Sequence, residues 1–242
     1  MSAQTLRLLK AQLLKQANPQ KAKLLQSFFK TGPGQYGEGD RFLGLTVPQQ
    51  RRLAGEYAAQ LNFADLDKLL KSKIHEQRLV ALLVLVDQFQ QATDNRQQAA
   101  IFRFYLAHSK NINNWDLVDL SAPKIVGAYL RQRDKSLLYK LAQSKNLWQR
   151  RIAMLATFDF IYYGNPRPAL KIAGALLADE HDLIHKAVGW MLREAGKRCG
   201  EKILTGFLDR HYQTMPRTML RYAIERLDAK SKKFYMAKTF NK

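Results

Sequence analysis

Apolar residues recur at helical spacing along almost the whole of this 242-residue chain. Leu6, Leu9, Leu13 and Leu14 mark one apolar face and predict an amphipathic helix over 3–16. Asn18-Pro19 is a helix start, a capping side chain followed by a ring whose backbone angle already suits the first turn, and its helix runs to about Lys30. Further helices are predicted over 47–60, 63–72, 74–92, 95–109, 114–132, 135–144, 146–163, 166–178, 181–198, 201–213 and 215–227. Pro48, Pro166 and Pro216 stand at starts, Asp94 caps, Gly200 stops, and Pro123 is expected to bend the segment it interrupts. No stretch alternates with the period of two that a half-buried strand needs. The longest irregular stretch, Thr31 to Asp40, holds four Gly and one Pro. No strand precedes it and no Gly-Lys-Ser/Thr closes it, which excludes a P-loop; a loop of this length suits ligand contact. Residues 228–242 are Lys-rich and read as a frayed tail.

Helices joined by short turns build a bundle or a solenoid, and internal repeats decide between them. Glu76-Gln-Arg-Leu-Val-Ala-Leu-Leu matches Trp148-Gln-Arg-Arg-Ile-Ala-Met-Leu, with Arg78 and Arg150 aligned 72 residues apart and Ala81 on Ala153. Ile184-His-Lys-Ala-Val-Gly-Trp-Met aligns Lys186 with Arg150, 36 residues on, and Gly189 with Ala153. A unit of about 36 residues is near the helix-pair repeats called HEAT or armadillo. The expected fold is all-α: a HEAT/armadillo-like helical-repeat solenoid, one domain over 1–242, with a concave, basic face. Small residues fall where helices approach closely. The recurring cation would line the groove. Trp115 and Arg151 are also 36 residues apart and would occupy equivalent positions on neighbouring repeats.

Charge narrows the partners. Forty Lys and Arg stand against twenty Asp and Glu, a net charge of +20, which points to nucleic acid, an acidic membrane surface or another polyanion. The longest apolar run, Leu79 to Val86, is eight residues, far below the ~20 needed to cross a bilayer. The first residues lack the apolar core of a signal peptide. Cys199 is the sole cysteine, which excludes an intramolecular disulfide and a Cys-rich zinc site. Only His181 and His185 have i, i+4 spacing, without the intervening acid of a metalloprotease helix. The expectation is a soluble, cytoplasmic monomer without metal, cofactor or membrane partner.

Two places carry candidate chemistry. Asn114-Trp115-Asp116-Leu117-Val118-Asp119 sets an indole and a carboxylate one helical turn apart. Packing is the common explanation of such a pair, yet a carboxylate on a surface that meets a polyanion needs a reason. Trp190 has Lys186 at i−4, Arg193 at i+3 and Lys197 at i+7. Aromatic rings among cations suit nucleic acid, with charge for phosphates and flat faces for sugars and bases.

Asn114-Trp-Asp-Leu-Val-Asp119, Asn146-Leu-Trp-Gln-Arg-Arg151 and Ile184-His-Lys-Ala-Val-Gly-Trp-Met-Leu-Arg-Glu194 resemble three core motifs of the AlkD-type DNA alkylation repair proteins, HEAT-like-repeat DNA glycosylases of bacteria. The resemblance extends from Asn18-Pro19 to about residue 227. It implies hydrolysis of the N-glycosidic bond of cationic N3- and N7-alkylated purines in duplex DNA, with no flipping of the base required. It implies a monofunctional enzyme of base excision repair, associated with the bacterial nucleoid. The catalytic residues it implies are Trp115, Asp119 and Trp190, with Arg151 and Arg193 on the DNA backbone. Arg150, Lys186 and Lys197 join them as DNA-binding candidates from the repeat and from the Trp190 face. The chain departs from the family pattern at Asn114, where some members have a second Trp, at Asp182-Leu183, where some have an aromatic pair, and in its longer Gly-rich loop. The family also includes non-catalytic binders of damaged or branched DNA. The presence of Trp115, Asp119 and Trp190 argues against that alternative.

Overall fold

The computed structural model describes residues 2–237. Every regular element among them is helical, apart from one isolated bridge between Arg41 and Ile74. The chain folds into two compact units, Met1–Ser121 and Ala122–Lys242.

The first unit contains α1 (Ser2–Lys15), α2 (Pro19–Phe28), α3 (Val47–Tyr57), α4 (Phe63–Leu70), α5 (His75–Gln91), α6 (Asn95–Ala107) and α7 (Trp115–Ala122), whose last residue crosses the boundary. Helix α5 is its centre. The run Leu79–Val86 is buried on every side, and a helix apolar all round must be a core helix. Helices α1, α3, α4 and α6 pack on it. The starts follow the capping residues: Asn18 accepts from the Lys21 amide at 3.0 Å and Asp94 from the Gln97 amide at 2.8 Å. On α1, Leu6, Leu9 and Leu13 are buried, but Leu14 is 56% exposed. It lies a quarter-turn from that stripe, so it does not share the face the spacing suggested.

The residues just after the Gly-rich stretch are tied to two helix starts. The Asn18 amide donates to the Leu43 carbonyl at 2.7 Å, and the His75 amide to that of Arg41 at 2.8 Å. Gly44 has φ +89° and lies against the Asn18 carbonyl and the Ala22 amide, so neither backbone angle nor space admits a side chain.

The second unit contains a π turn (Pro123–Gly127), α8 (Ala128–Leu130), α9 (Ser136–Ala142), α10 (Leu147–Tyr162), α11 (Arg167–Ala175), α12 (Asp182–Cys199), α13 (Glu201–His211), α14 (Arg217–Ala223) and α15 (Ala229–Met236). Where a bend was expected at Pro123, the helix widens into this π turn. A proline ring offers no N–H and crowds the carbonyl four residues back, and widening one turn accommodates both. Gly127 then fits against the Ala156 carbonyl. Helix α10 packs on α9, α11 and α12, and α12 on α13 and α14. The small residues of the repeat mark close approaches. Ala81 and Ala153 are fully buried, and a Cβ at Gly189 would run into the Met219 carbonyl and Tyr222 on α14.

Within the tail read as frayed, α15 is a capped helix. Asp228 accepts from the Lys230 amide at 2.8 Å, and the Tyr235 hydroxyl donates to Asp209 at 2.7 Å. Residues 238–242 lie outside the described residues. Among the described residues no helix is long and apolar enough to cross a membrane.

The Gly189 approach can be tested directly. Gly189→Ala should cost about 1–3 kcal/mol, as overpacking does, seen as a lower urea midpoint with native helix content retained.

Candidate functional site

Helix α7 begins at Trp115, and its free amides are satisfied locally. The Trp115 amide donates to the Asn114 side chain and the Leu117 amide to Asp116, both at 2.8 Å. Trp115 is half-buried at one end of an aromatic column. Its ring stacks on Phe29 with centroids 5.0 Å apart; Phe29 stacks on Phe42 at 5.1 Å, and Phe42 on the His75 imidazole at 4.5 Å. The exposed Phe28 meets Trp115 edge-on at 5.9 Å. One turn along α7, Asp119 is half-buried near Tyr105, whose hydroxyl bonds Ser121 at 2.9 Å. Burial, reinforced by the Asp119 charge and opposed by the Ser121 bond, pushes the Tyr105 phenol well above its ordinary range.

Beneath the column lies a buried ionic cluster that the sequence reading missed. His75 bonds Asp116 through Nε2 at 2.7 Å and Asp40 through Nδ1 at 3.2 Å. Asp40 also accepts from Arg78 at 2.6 Å and, more weakly, from the Asn114 side chain at 3.4 Å. Glu76, fully buried, accepts from the backbone amides of Leu43, Gly44 and Leu45. One signal for this cluster was legible. His75-Glu76-Gln77-Arg78 forms the polar first turn of the helix that carries the longest apolar run in the chain. A first turn carried into the core must find its partners there.

The cluster sets the titration of its members. Burial works against a charged His75, but the charge and hydrogen bond of Asp116 and the bond to Asp40 outweigh it and push the imidazole up to about 9. Burial alone would raise Asp40; the His75 bond and Arg78 hold it below the ordinary carboxylate value.

In the second unit, Trp190 is half-buried on α12, with its ring 6.3 Å from Phe158 on α10. The candidate cations differ in what they touch. The Arg150 guanidinium bonds Asp179 at 2.5 Å and the Ser144 and Lys145 carbonyls at 3.0 and 3.1 Å. Arg78 bonds the Ser72 carbonyl at 2.8 Å in the same way. At these two positions the recurring cation therefore turns inward, which corrects the reading of it as a groove lining. There it supplies donors to backbone carbonyls and to a carboxylate. Arg151 is buried and donates to the Leu183 carbonyl. Lys186 pairs with Asp182 at 2.8 Å, and Arg193 with Glu225. Lys197 is exposed. Among the described residues no three His, Cys, Asp or Glu side chains are grouped as a metal ion requires.

The family model for DNA alkylation repair enzymes matches residues 9–227. No curated protein matches the sequence. Among solved structures, the chain is similar to a predicted DNA alkylation repair enzyme from Enterococcus faecalis, with TM-score 0.67 at 18% identity, covering 88% of this chain and 98% of that one. At that identity the likeness concerns the fold, a helical-repeat one.

The His75 titration predicts a pH dependence of stability. Its folded value lies above the unfolded 6.5, so its contribution is complete below about 6.5 and is lost as pH rises through about 9. Urea midpoints measured from pH 6 to 10 should fall across that window, and His75→Gln should flatten the fall.

Proposed function

The chain belongs to the DNA alkylation repair enzyme family, and from that membership and the geometry of α7 we propose that it is a glycosylase for cationic N3- and N7-alkylpurines in duplex DNA. The observation that carries the reading is the Trp115–Asp119 pair. A half-buried indole held by a stack of rings has a carboxylate one turn away, in a chain of net charge +20. Such a carboxylate repels phosphate and favours a cationic sugar.

The chemistry follows from the substrate's charge. An N3- or N7-alkylpurine is already cationic and departs without being protonated. What remains is to stabilise the oxocarbenium character that develops on the deoxyribose and to position water. Asp119 does both. Stabilisation aimed at developing charge is usually the largest catalytic contribution. Trp115 turns a π face, negative in its quadrupole, toward the sugar, and the family resemblance gives Trp190 the same kind of role. No covalent enzyme intermediate is involved, and the base leaves without having to flip.

Phosphate binding is assigned first to Lys197, which is exposed, and to Lys186, whose ion pair with Asp182 is partly open to water. Exposed i, i+4 pairs are weak and exchange readily for a phosphate. Arg151 and Arg193 are assigned to the backbone by resemblance and must exchange the Leu183 carbonyl and Glu225 to reach it. Arg150 would have to give up a carboxylate and two carbonyls.

Methylated duplex DNA tests the reading. The protein should release 7-methylguanine or 3-methyladenine, identified by mass spectrometry. Asp119→Asn should slow release on the order of 100–1000-fold. Equal release by the variant would remove Asp119 from catalysis. Binding to junctions without any release would favour the non-catalytic alternative. DNA affinity should also fall steeply with salt, and Lys197→Ala should reduce the slope of log K against log salt by about one.

A further inference from the structure

His75 joins every segment that shapes the bed of Trp115. Asp40 comes from the end of the Gly-rich loop, Phe42 from just beyond it, Phe29 from the end of α2, and Asp116 from the first turn of α7, next to Trp115 itself. We propose that His75 is the positioning residue of the site: clamped between Asp40 and Asp116, it sets the orientation in which α7 presents Trp115 and Asp119. The proposal rests on the reading of those two residues as catalytic.

The geometry of the ring is the argument. Its two nitrogens each face a carboxylate oxygen, at 2.7 and 3.2 Å. A neutral imidazole carries one N–H, so one of its nitrogens would face a carboxylate lone pair to lone pair. Only the doubly protonated ring donates to both. Two donors fixed on one plane hold two carboxylates at a set separation and angle, which an apolar filler of equal volume does not. Of the two, Asp116 is on α7 and Asp40 is on the loop. Phe42 stacks on the ring and Phe29 packs beside both, and neither contributes charge.

Two further charged groups belong to the cluster: Arg78, one turn along α5, bonds Asp40 and not the ring, and the Glu76 carboxylate is met by the Leu43, Gly44 and Leu45 amides, outside the His75 pairing. With His75 protonated, two cations, His75 and Arg78, meet two carboxylates, Asp40 and Asp116. Loss of the ring proton leaves two carboxylates and one guanidinium, and the balance fails on the α7 side, where Asp116 has no guanidinium of its own in the cluster. The clamp is closed while the ring is a cation and opens as the ring loses its proton, near pH 9. An opened clamp shifts Trp115 and Asp119 without removing either. Misplacement of a catalytic group by an ångström costs rate and leaves ground-state DNA affinity nearly intact.

The test pairs kinetics with a probe that needs no activity. Single-turnover release of 7-methylguanine from methylated duplex DNA is measured from pH 6 to 10, with loss from DNA alone subtracted. The protein is also labelled with 5-fluorotryptophan and followed by ¹⁹F NMR, with Trp148→Phe and Trp190→Phe assigning the Trp115 resonance. In the unaltered protein, rate and resonance should change together with a midpoint near pH 9. His75→Gln should lower the single-turnover rate about 100-fold with DNA affinity unchanged, and should abolish both pH changes. Asp116→Asn keeps shape and acceptor but removes the charge that holds the proton, so it should move both midpoints to lower pH. That variant decides the matter should His75→Gln fail to fold. A Trp115 resonance that does not titrate, or midpoints unmoved in Asp116→Asn, overturns the proposal, as does a folded His75→Gln protein with the original rate and profile. Absence of base release from the unaltered protein, with a Trp115 resonance that still follows His75, overturns the catalytic reading and leaves the clamp standing.

Discussion

The first unit is governed by one constraint: the central helix is too apolar to leave the core, and its first turn is too polar to enter it alone. With Leu79–Val86 buried on all sides, His75, Glu76 and Arg78 are drawn out of water with it. Each must then be met by a partner, because an unpaired buried charge costs several kcal/mol. Glu76 takes three backbone amides of the segment 43–45, Arg78 takes Asp40 and a carbonyl, and His75 takes two carboxylates. Those partners are the last residue of the Gly-rich loop, the segment 43–45 that follows it, the Ser72 carbonyl and the start of α7. The demand of one buried turn therefore anchors the irregular segment 40–45 and holds the helix that carries Trp115 and Asp119.

Much of this architecture was legible in the sequence because it is local. Helix spans followed the 3.6-residue period, and starts followed Asn18, Asp94 and the prolines, since a cap acts within one turn. The Trp115–Asp119 relation was legible for the same reason, being fixed by a single helix. The ionic cluster was not, since its partners from other segments lie 31 to 74 residues apart in the chain, and no spacing rule links Asp40 to His75 or Asn114. The described helix at 229–236 was also missed. A Lys-rich composition suggested fraying, but Asp228 caps the segment and Tyr235 docks it.

The repeat was legible in position and misleading in role. Arg78 and Arg150 recur where the alignment placed them, and both reach the carbonyl of a serine six residues back while pairing with an aspartate. A guanidinium has donors enough to satisfy a carbonyl and a carboxylate at once, which suits it to stitching a tight helix–helix turn. Sequence alone cannot separate an arginine that stitches a turn from one that meets phosphate, because both recur with the repeat. The difference lies in whether a carboxylate such as Asp179 is brought to it by the fold.

The wide sequence separation within the ionic cluster has a consequence for the order in which the unit assembles. Contacts between residues 35 to 41 apart close late, because the chain between them must first be ordered. Helix α5 can form and dock through neighbours close in sequence, but His75 receives its second carboxylate only when Asp116 arrives. A partly folded chain with α5 docked and α7 still free holds a buried imidazole with half its partners, a state disfavoured relative to those on either side of it. Arrival of α7 and completion of the core are thereby coupled, and the Trp115–Asp119 pair, formed by one helix, takes its seat as the core closes.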